Sequence, residues 1–143
     1  MPDPAGQYAG MIDVYAVAGP INVNKYSNVT GGTALDPDRM QRAFDDTDSK
    51  IAAYFKRAGI DPAMIDPAFT PLIREASALL AVAWLYRTRG NTDAPSVDSN
   101  QENSDYYSRL GGWTKKANCN LIDVTMTRRT SIDQVFGNDN QPV

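Results

Sequence analysis

The chain has 143 residues, 42% of them hydrophobic and 9% aromatic, which suits one domain with a single modest core. Its 14 basic and 17 acidic side chains give a net charge of -3, too mild to mark a nucleic-acid or acidic-membrane binder by charge alone. There is no histidine and only one cysteine, Cys119. That excludes His-based triads, His metal sites and an intrachain disulfide, so an oxidising compartment is not required.

Residues 1–35 are rich in Gly, Pro, Asn and Tyr. Met1 to Gly10 carry no basic and then apolar segment, so no secretory signal is expected there. Short apolar patches follow at Met11-Ile12, Val14–Val17 and Ile21–Val23, broken by turn signals at Gly19-Pro20 and Gly31-Gly32. The reading is an extended N-terminal arm with short strands, too short to form a sheet without a partner surface.

A first long helix is expected from Asp36 to Gly59. Asp36 can cap free N–H groups, and Pro37 suits the first helical position because its missing N–H costs nothing there. Met40, Phe44, Thr47, Ile51, Tyr54, Phe55 and Ala58 recur in steps of three and four, which is one face of a helix. Asp38, Arg42, Asp46 and Lys50 alternate in sign along the opposite face. Gly59 is a left-handed stop. The helix should span roughly 22 residues, about 33 Å.

The linker 60–69 carries Asp61-Pro62 and Asp66-Pro67. The first should open one helical turn holding Met64 and Ile65, and Phe69 should pack under the hairpin. A second long helix runs from Thr70-Pro71 to about Arg89, with Gly90 as its stop. Leu72, Ile73, Ala76, Leu79, Leu80, Val82, Ala83, Trp84, Leu85 and Tyr86 cover most of its circumference, so several neighbours must bury it. The first helix alone is not enough. A third helix, the arm or a neighbouring subunit must supply the rest. The longest apolar run, Ala76 to Tyr86, is about half the roughly 20 residues of a membrane span. A soluble protein made inside the cell is expected.

After a polar loop over 91–99, a short third helix is expected from about Asn100 to Leu110. Tyr106, Tyr107 and Leu110 form its packing face and Gly111-Gly112 its end. The remainder, 113–143, reads as a tail with a strand-like stretch at Leu121–Met126.

Catalytic patterns are missing. There is no phosphate-binding glycine loop, and Gly31-Gly32 and Gly111-Gly112 read as turns. Asp46 and Asp48 have the spacing that starts a calcium loop but lack its glycine and distal glutamate, so they read, with Asp45 and Asp38, as a solvated acidic face. Basic pairs at Arg87/Arg89, Lys115-Lys116 and Arg128-Arg129, near Trp113 and Tyr107, read as solvated or interface charge before they read as a nucleic-acid patch. Trp84 reads as core. Cys119 reads as a small apolar side chain. Asn28-Val29-Thr30 matches a glycosylation sequon and reads as incidental. No catalytic, cofactor or metal residue is assigned. The packing residues are Met40, Phe44, Ile51, Tyr54, Phe55, Leu72, Ile73, Leu80, Trp84 and Leu85.

The run Asp36-Pro37-Asp38-Arg39-Met40 through Ala43-Phe44-Asp45-Asp46-Thr47-Asp48-Ser49-Lys50-Ile51-Ala52-Ala53-Tyr54-Phe55 resembles the first helix of phage head–tail connector (adaptor) proteins of the Mu-like head-completion family. Pro71-Leu72-Ile73-Arg74-Glu75-Ala76 and Leu80-Ala81-Val82-Ala83-Trp84-Leu85-Tyr86-Arg87-Thr88-Arg89-Gly90 are similar to that family's second helix. Tyr106-Tyr107 and Leu110-Gly111-Gly112 fall where it has a short third one. The resemblance covers residues 35–112.

It implies a structural virion protein and not an enzyme. Such a protein forms a homo-oligomeric ring, typically twelvefold, beneath the portal in the neck of the virion. It extends the DNA channel and docks a stopper or tail-terminator protein. Double-stranded DNA passes without specific binding, and no membrane or cofactor is involved. Asp38, Asp45, Asp46 and Asp48 would then lie on a lumenal or outer acidic face, where a lumenal position repels DNA phosphates. The expected fold is a small, mainly α bundle on a long antiparallel helix pair. An extended arm (1–35) and a tail (113–143) flank a helical core (36–112). Removing residues 1–32 or 120–143 should then leave the core folded and weaken assembly. Two other readings are a small helical nucleic-acid-binding regulator and an enzyme using carboxylates such as Asp45 and Glu75.

Overall fold

The computed structural model describes residues 3–88 and 109–126, and every regular element among them is helical. Five helices follow one another: α1 (Met11–Ala18), α2 (Pro20–Ser27), α3 (Pro37–Arg57), α4 (Thr70–Thr88) and α5, residues 109–126. This is the mainly α bundle expected, built on the antiparallel pair α3 and α4.

The pair is set by local chemistry. The Asp36 carboxylate accepts from the N–H groups of Asp38 and Arg39, 3.1 and 3.3 Å away, and Pro37 follows it into α3. At the other end Gly59 adopts φ +72°. Its N–H donates to Lys56 O and that of Ile60 to Phe55 O, a Schellman stop with Ile60 folded back over Phe55. In the linker, Asp61 caps the turn Pro62–Met64 and Asp66 caps Pro67–Phe69, each through the N–H two residues on. Phe69 is half-buried against the core, as expected.

Helix α4 is the centre of the molecule. Its C-terminal half packs with Met40 and Phe44 of α3, Val14 of α1, Val23 of α2 and Leu110 of α5. Its N-terminal half packs with Ile51 and Phe55 of α3 and with Ala117, Leu121 and Val124 of α5. Together with its leading turn, Pro67–Thr88 is long and apolar enough to cross a membrane by length and composition. Here that surface is already occupied by four other helices. Of the three sources of cover expected beyond α3, the N-terminal segment supplies it through α1 and α2, and a further helix supplies it through α5.

The extended N-terminal arm is also corrected. Residues 11–27 form two helices whose inner positions, Val14 and Val23, are 0% exposed. Met11 and Val14 are three apart, Val23 and Ser27 four apart, so the buried positions follow helical spacing. Gly19, at φ +85°, makes the corner between them and Pro20 opens α2. The Tyr15 hydroxyl donates to Asn24 Oδ1 across that corner at 3.0 Å. The only extended pairing among the described residues is an isolated bridge between Ala5 and Gly10. Residues 11–27 thus contribute to the core, and so do residues 117–125 of the expected tail.

Gly111-Gly112 do not end a helix. α5 runs through them to residue 126, and the expected strand over Leu121–Met126 is helical. Ala117, Leu121, Val124 and Thr125 form its buried face, at steps of four, three and one. The expected helix over 100–110, with Tyr106 and Tyr107, lies outside the described residues except for positions 109 and 110. So do Gly90, the loop over 91–99, Arg89, Arg128-Arg129 and residues 127–143.

Candidate assembly surfaces

Of the ten packing residues read from the sequence, Met40, Phe44, Ile51, Phe55, Ile73, Leu80 and Leu85 are buried. Tyr54, Leu72 and Trp84 are only half-buried. Each has a reason. Tyr54 sits where α3 meets α5, and the Thr125 hydroxyl donates to its oxygen at 3.3 Å. Leu72 lies in the first turn of α4. Trp84 is roofed by Arg39, whose guanidinium carbon is 4.9 Å from the ring centroid.

The four acidic residues assigned to one open face do not share it. Asp38 and Asp45 are exposed, and Asp45 accepts from Gln41 Nε2 at 3.0 Å. Asp46 pairs with Lys50 at 2.8 Å, one turn on. Asp48 is turned under the chain's first described residues: its Oδ2 accepts from the Gln7 N–H at 2.9 Å. The solvated acidic face is therefore Asp38, Asp45 and Asp46. Asp48 is excluded because residues 6–8 cover it.

A groove of about 450 Å³ lies where α1, α4 and α5 meet. Val17, Ala78, Leu79 and Trp113 line it with apolar surface, and Asp13, Arg74, Glu75 and Lys116 bring charge of both signs. Lys116 reaches Glu75 at 3.2 Å. Asn120 Nδ2 donates to Glu75 Oε1 at 3.1 Å and to Leu72 O at 3.2 Å. The Glu75 carboxyl is held below its usual pKa, first by the Asn120 hydrogen bond and also by Lys116, with desolvation opposing them. A carboxylate kept charged and engaged in this way is a structural brace, not a proton donor. Asp45 and Glu75, paired in the enzyme reading, have separate partners in Gln41 and in Asn120 with Lys116.

The basic stretch on α5 is divided too. Lys116 pairs with Glu75, while Trp113 turns inward with its ring edge-on to Tyr86, 4.8 Å between centroids. Tyr86 in turn stacks on Tyr26 at 3.7 Å. Trp113 is thus a core contact and not a platform for a base. Cys119, read as a small apolar side chain, is exposed on α5. Asn28 uses its amide to hold its own loop, accepting from Thr30 and Gly32 and donating to Ala34 O. Among the described residues no three Cys, Asp or Glu side chains gather as a metal site.

Several large apolar side chains also remain open on the surface. Ile12 on α1 is 85% exposed and Ile21 on α2 is 83% exposed. Met64 in the linker and Ile122 and Met126 on α5 are exposed as well. Sequence reasoning missed Arg39, Asn120 and Gln41 as ties between elements. Each is a polar residue whose partner lies more than thirty positions away, and nothing local in the sequence marks it.

In comparisons with known proteins, no family model, no curated protein and no solved structure matches the chain.

Proposed function

We propose that this chain is a structural head–tail connector adaptor of a phage virion, a subunit of a homo-oligomeric ring beneath the portal. In that role it extends the DNA channel and docks a stopper or tail-terminator protein. The reading rests on the sequence resemblance of the α3–α4 pair, from Asp36-Pro37 through the Pro71 and Leu80–Gly90 motifs. The observation that carries it is that these motif residues are used for packing. Met40, Phe44, Ile51 and Phe55 on α3 meet Ile73, Leu80 and Leu85 on α4 as core. The polar residues between them cap and brace.

Exposed isoleucines on α1 and α2 and exposed Ile122 and Met126 on α5 offer separate apolar contacts. Two different patches on one subunit are what a head-to-tail ring interface uses. The acidic stretch Asp38, Asp45 and Asp46 on α3 suits a wall past which DNA slides without sticking.

Native mass spectrometry of the protein alone and mixed with the portal protein of the same phage tests this. Addition to the portal in near-stoichiometric copies supports the adaptor. A protein that ignores the portal and instead shifts a DNA fragment, with strong salt dependence, moves the reading to a nucleic-acid-binding regulator.

A further inference from the structure

Residues 3–10 cross the outer face of α3 as a short strap with unusual fastenings. Gln41 clamps Ala5 from both sides, its Oε1 accepting the Ala5 N–H at 3.2 Å and its Nε2 donating to Ala5 O at 2.9 Å. Two helical turns further on, Asp48 Oδ2 accepts the Gln7 N–H at 2.9 Å. Between these points Gly6 lies directly on the helix. A Cβ there would stand 3.0 Å from Asp48 Oδ1 and 3.1 Å from Phe44 Cδ1. The strap closes on itself through the Ala5–Gly10 bridge and the Gly6 N–H to Ala9 O bond.

One feature of the site opposes closure. Asp48 Oδ1 is buried and has no hydrogen-bond partner among the described residues. Burying an ionised oxygen unpaired is costly, and opening the strap returns it to water. Among the described residues no cation pairs with it. The titratable groups around Asp48 are Asp45 on its own helix and Tyr8 on the strap, both anionic when ionised. The charged residues of α4, Arg74, Glu75 and Arg87, sit towards its ends, and Lys25 of α2 lies over Tyr26. Lys50 is engaged by Asp46.

We propose that residues 3–10 are a releasable strap over α3, with Asp48 as its proton-sensitive clip and Phe44 as the apolar surface it uncovers. The inference is independent of the adaptor reading. Burial raises the Asp48 carboxyl above its usual pKa, Asp45 adds to the rise and the Gln7 hydrogen bond partly offsets it. The closed form therefore binds the proton more tightly than the open one. Closure is favoured at acidic pH and weakened as pH rises through the closed-form value.

The test is a spin-label distance measurement on the full chain, with labels at Ala5→Cys and Ser49→Cys in a Cys119→Ser background. All three positions are exposed. A short distance that dominates at acid pH and gives way to longer ones at neutral pH, above the carboxylate range, is expected. Asp48→Asn keeps an acceptor for Gln7 without the charge and should hold the short distance at both pH values. Gly6→Val should give the longer distances at both. A short distance that persists at both pH values in the parent and in Gly6→Val overturns the strap. An Asp48→Asn profile identical to the parent's overturns Asp48 as its clip.

Discussion

Arg39 near the start of α3 closes the far end of α4 from the side of Trp84. Its guanidinium lies over the Trp84 ring, and its Nη2 donates to Leu85 O at 3.2 Å and Thr88 Oγ1 at 2.8 Å. The last carbonyls of a helix have no partners within it, and a cation there also meets the negative end of the helix dipole. One side chain therefore fastens the two long helices where each begins or ends.

Arg39→Ala is expected to cost about 1–2 kcal/mol, from the charged hydrogen bonds it removes. Trp84→Ala is expected to cost less than the roughly 3–5 kcal/mol of a fully enclosed aromatic, because Trp84 is half-buried. The two should not be additive. A double-mutant cycle in urea should return a coupling of about 0.5–1 kcal/mol, the size of a cation–π contact. Additive losses would remove the contact from the account.

Tyr86 joins three helices. It stacks on Tyr26 of α2 with planes 2° apart and meets Trp113 of α5 edge-on at 82°. Tyr86→Ala should cost about 3–5 kcal/mol by cavity formation. Denaturation followed by Trp fluorescence and by circular dichroism measures it. A loss under about 1 kcal/mol would mean that α2 and α5 do not depend on this contact.

Deleting residues 1–32 should abolish cooperative thermal unfolding, not merely weaken assembly. The deletion removes Met11, Val14 and Val23 from the cluster that covers the second half of α4. An apolar helix surface would then face water. A truncated protein that melts with a sharp transition near that of the full chain would show α1 and α2 to be dispensable.

Glu75 should contribute to stability in a pH-dependent way. Its folded pKa is depressed, chiefly by Asn120 and also by Lys116. The contribution is therefore present above the unfolded carboxylate value and lost as pH falls through the folded one. The Glu75 side chain is 43% exposed, so solvent screening keeps the effect under about 1 kcal/mol. Glu75→Gln should be less stable than the parent at neutral pH and indistinguishable from it in strong acid. A difference that grows on acidification would reverse the sign argued here.

The sequence by itself determined the pair α3 and α4. Its signals are local: a carboxylate and a proline at one end, a left-handed glycine at the other, and apolar steps of three and four between them. It also determined that α4 must be buried on several sides, because a helix apolar nearly all round has no face to give to water. Tertiary structure decided what does the burying. Eight residues are too few to hold a helix alone, so α1 and α2 exist only because Val14 and Val23 find α4. Two adjacent glycines weaken a helix, yet α5 passes through Gly111-Gly112 because Leu110, Ala117, Leu121 and Val124 are anchored on the bundle. Asp48 read as open surface, and residues 6–8 came from forty positions away to cover it. Such contacts follow from which faces meet, and spacing along the chain carries no record of that.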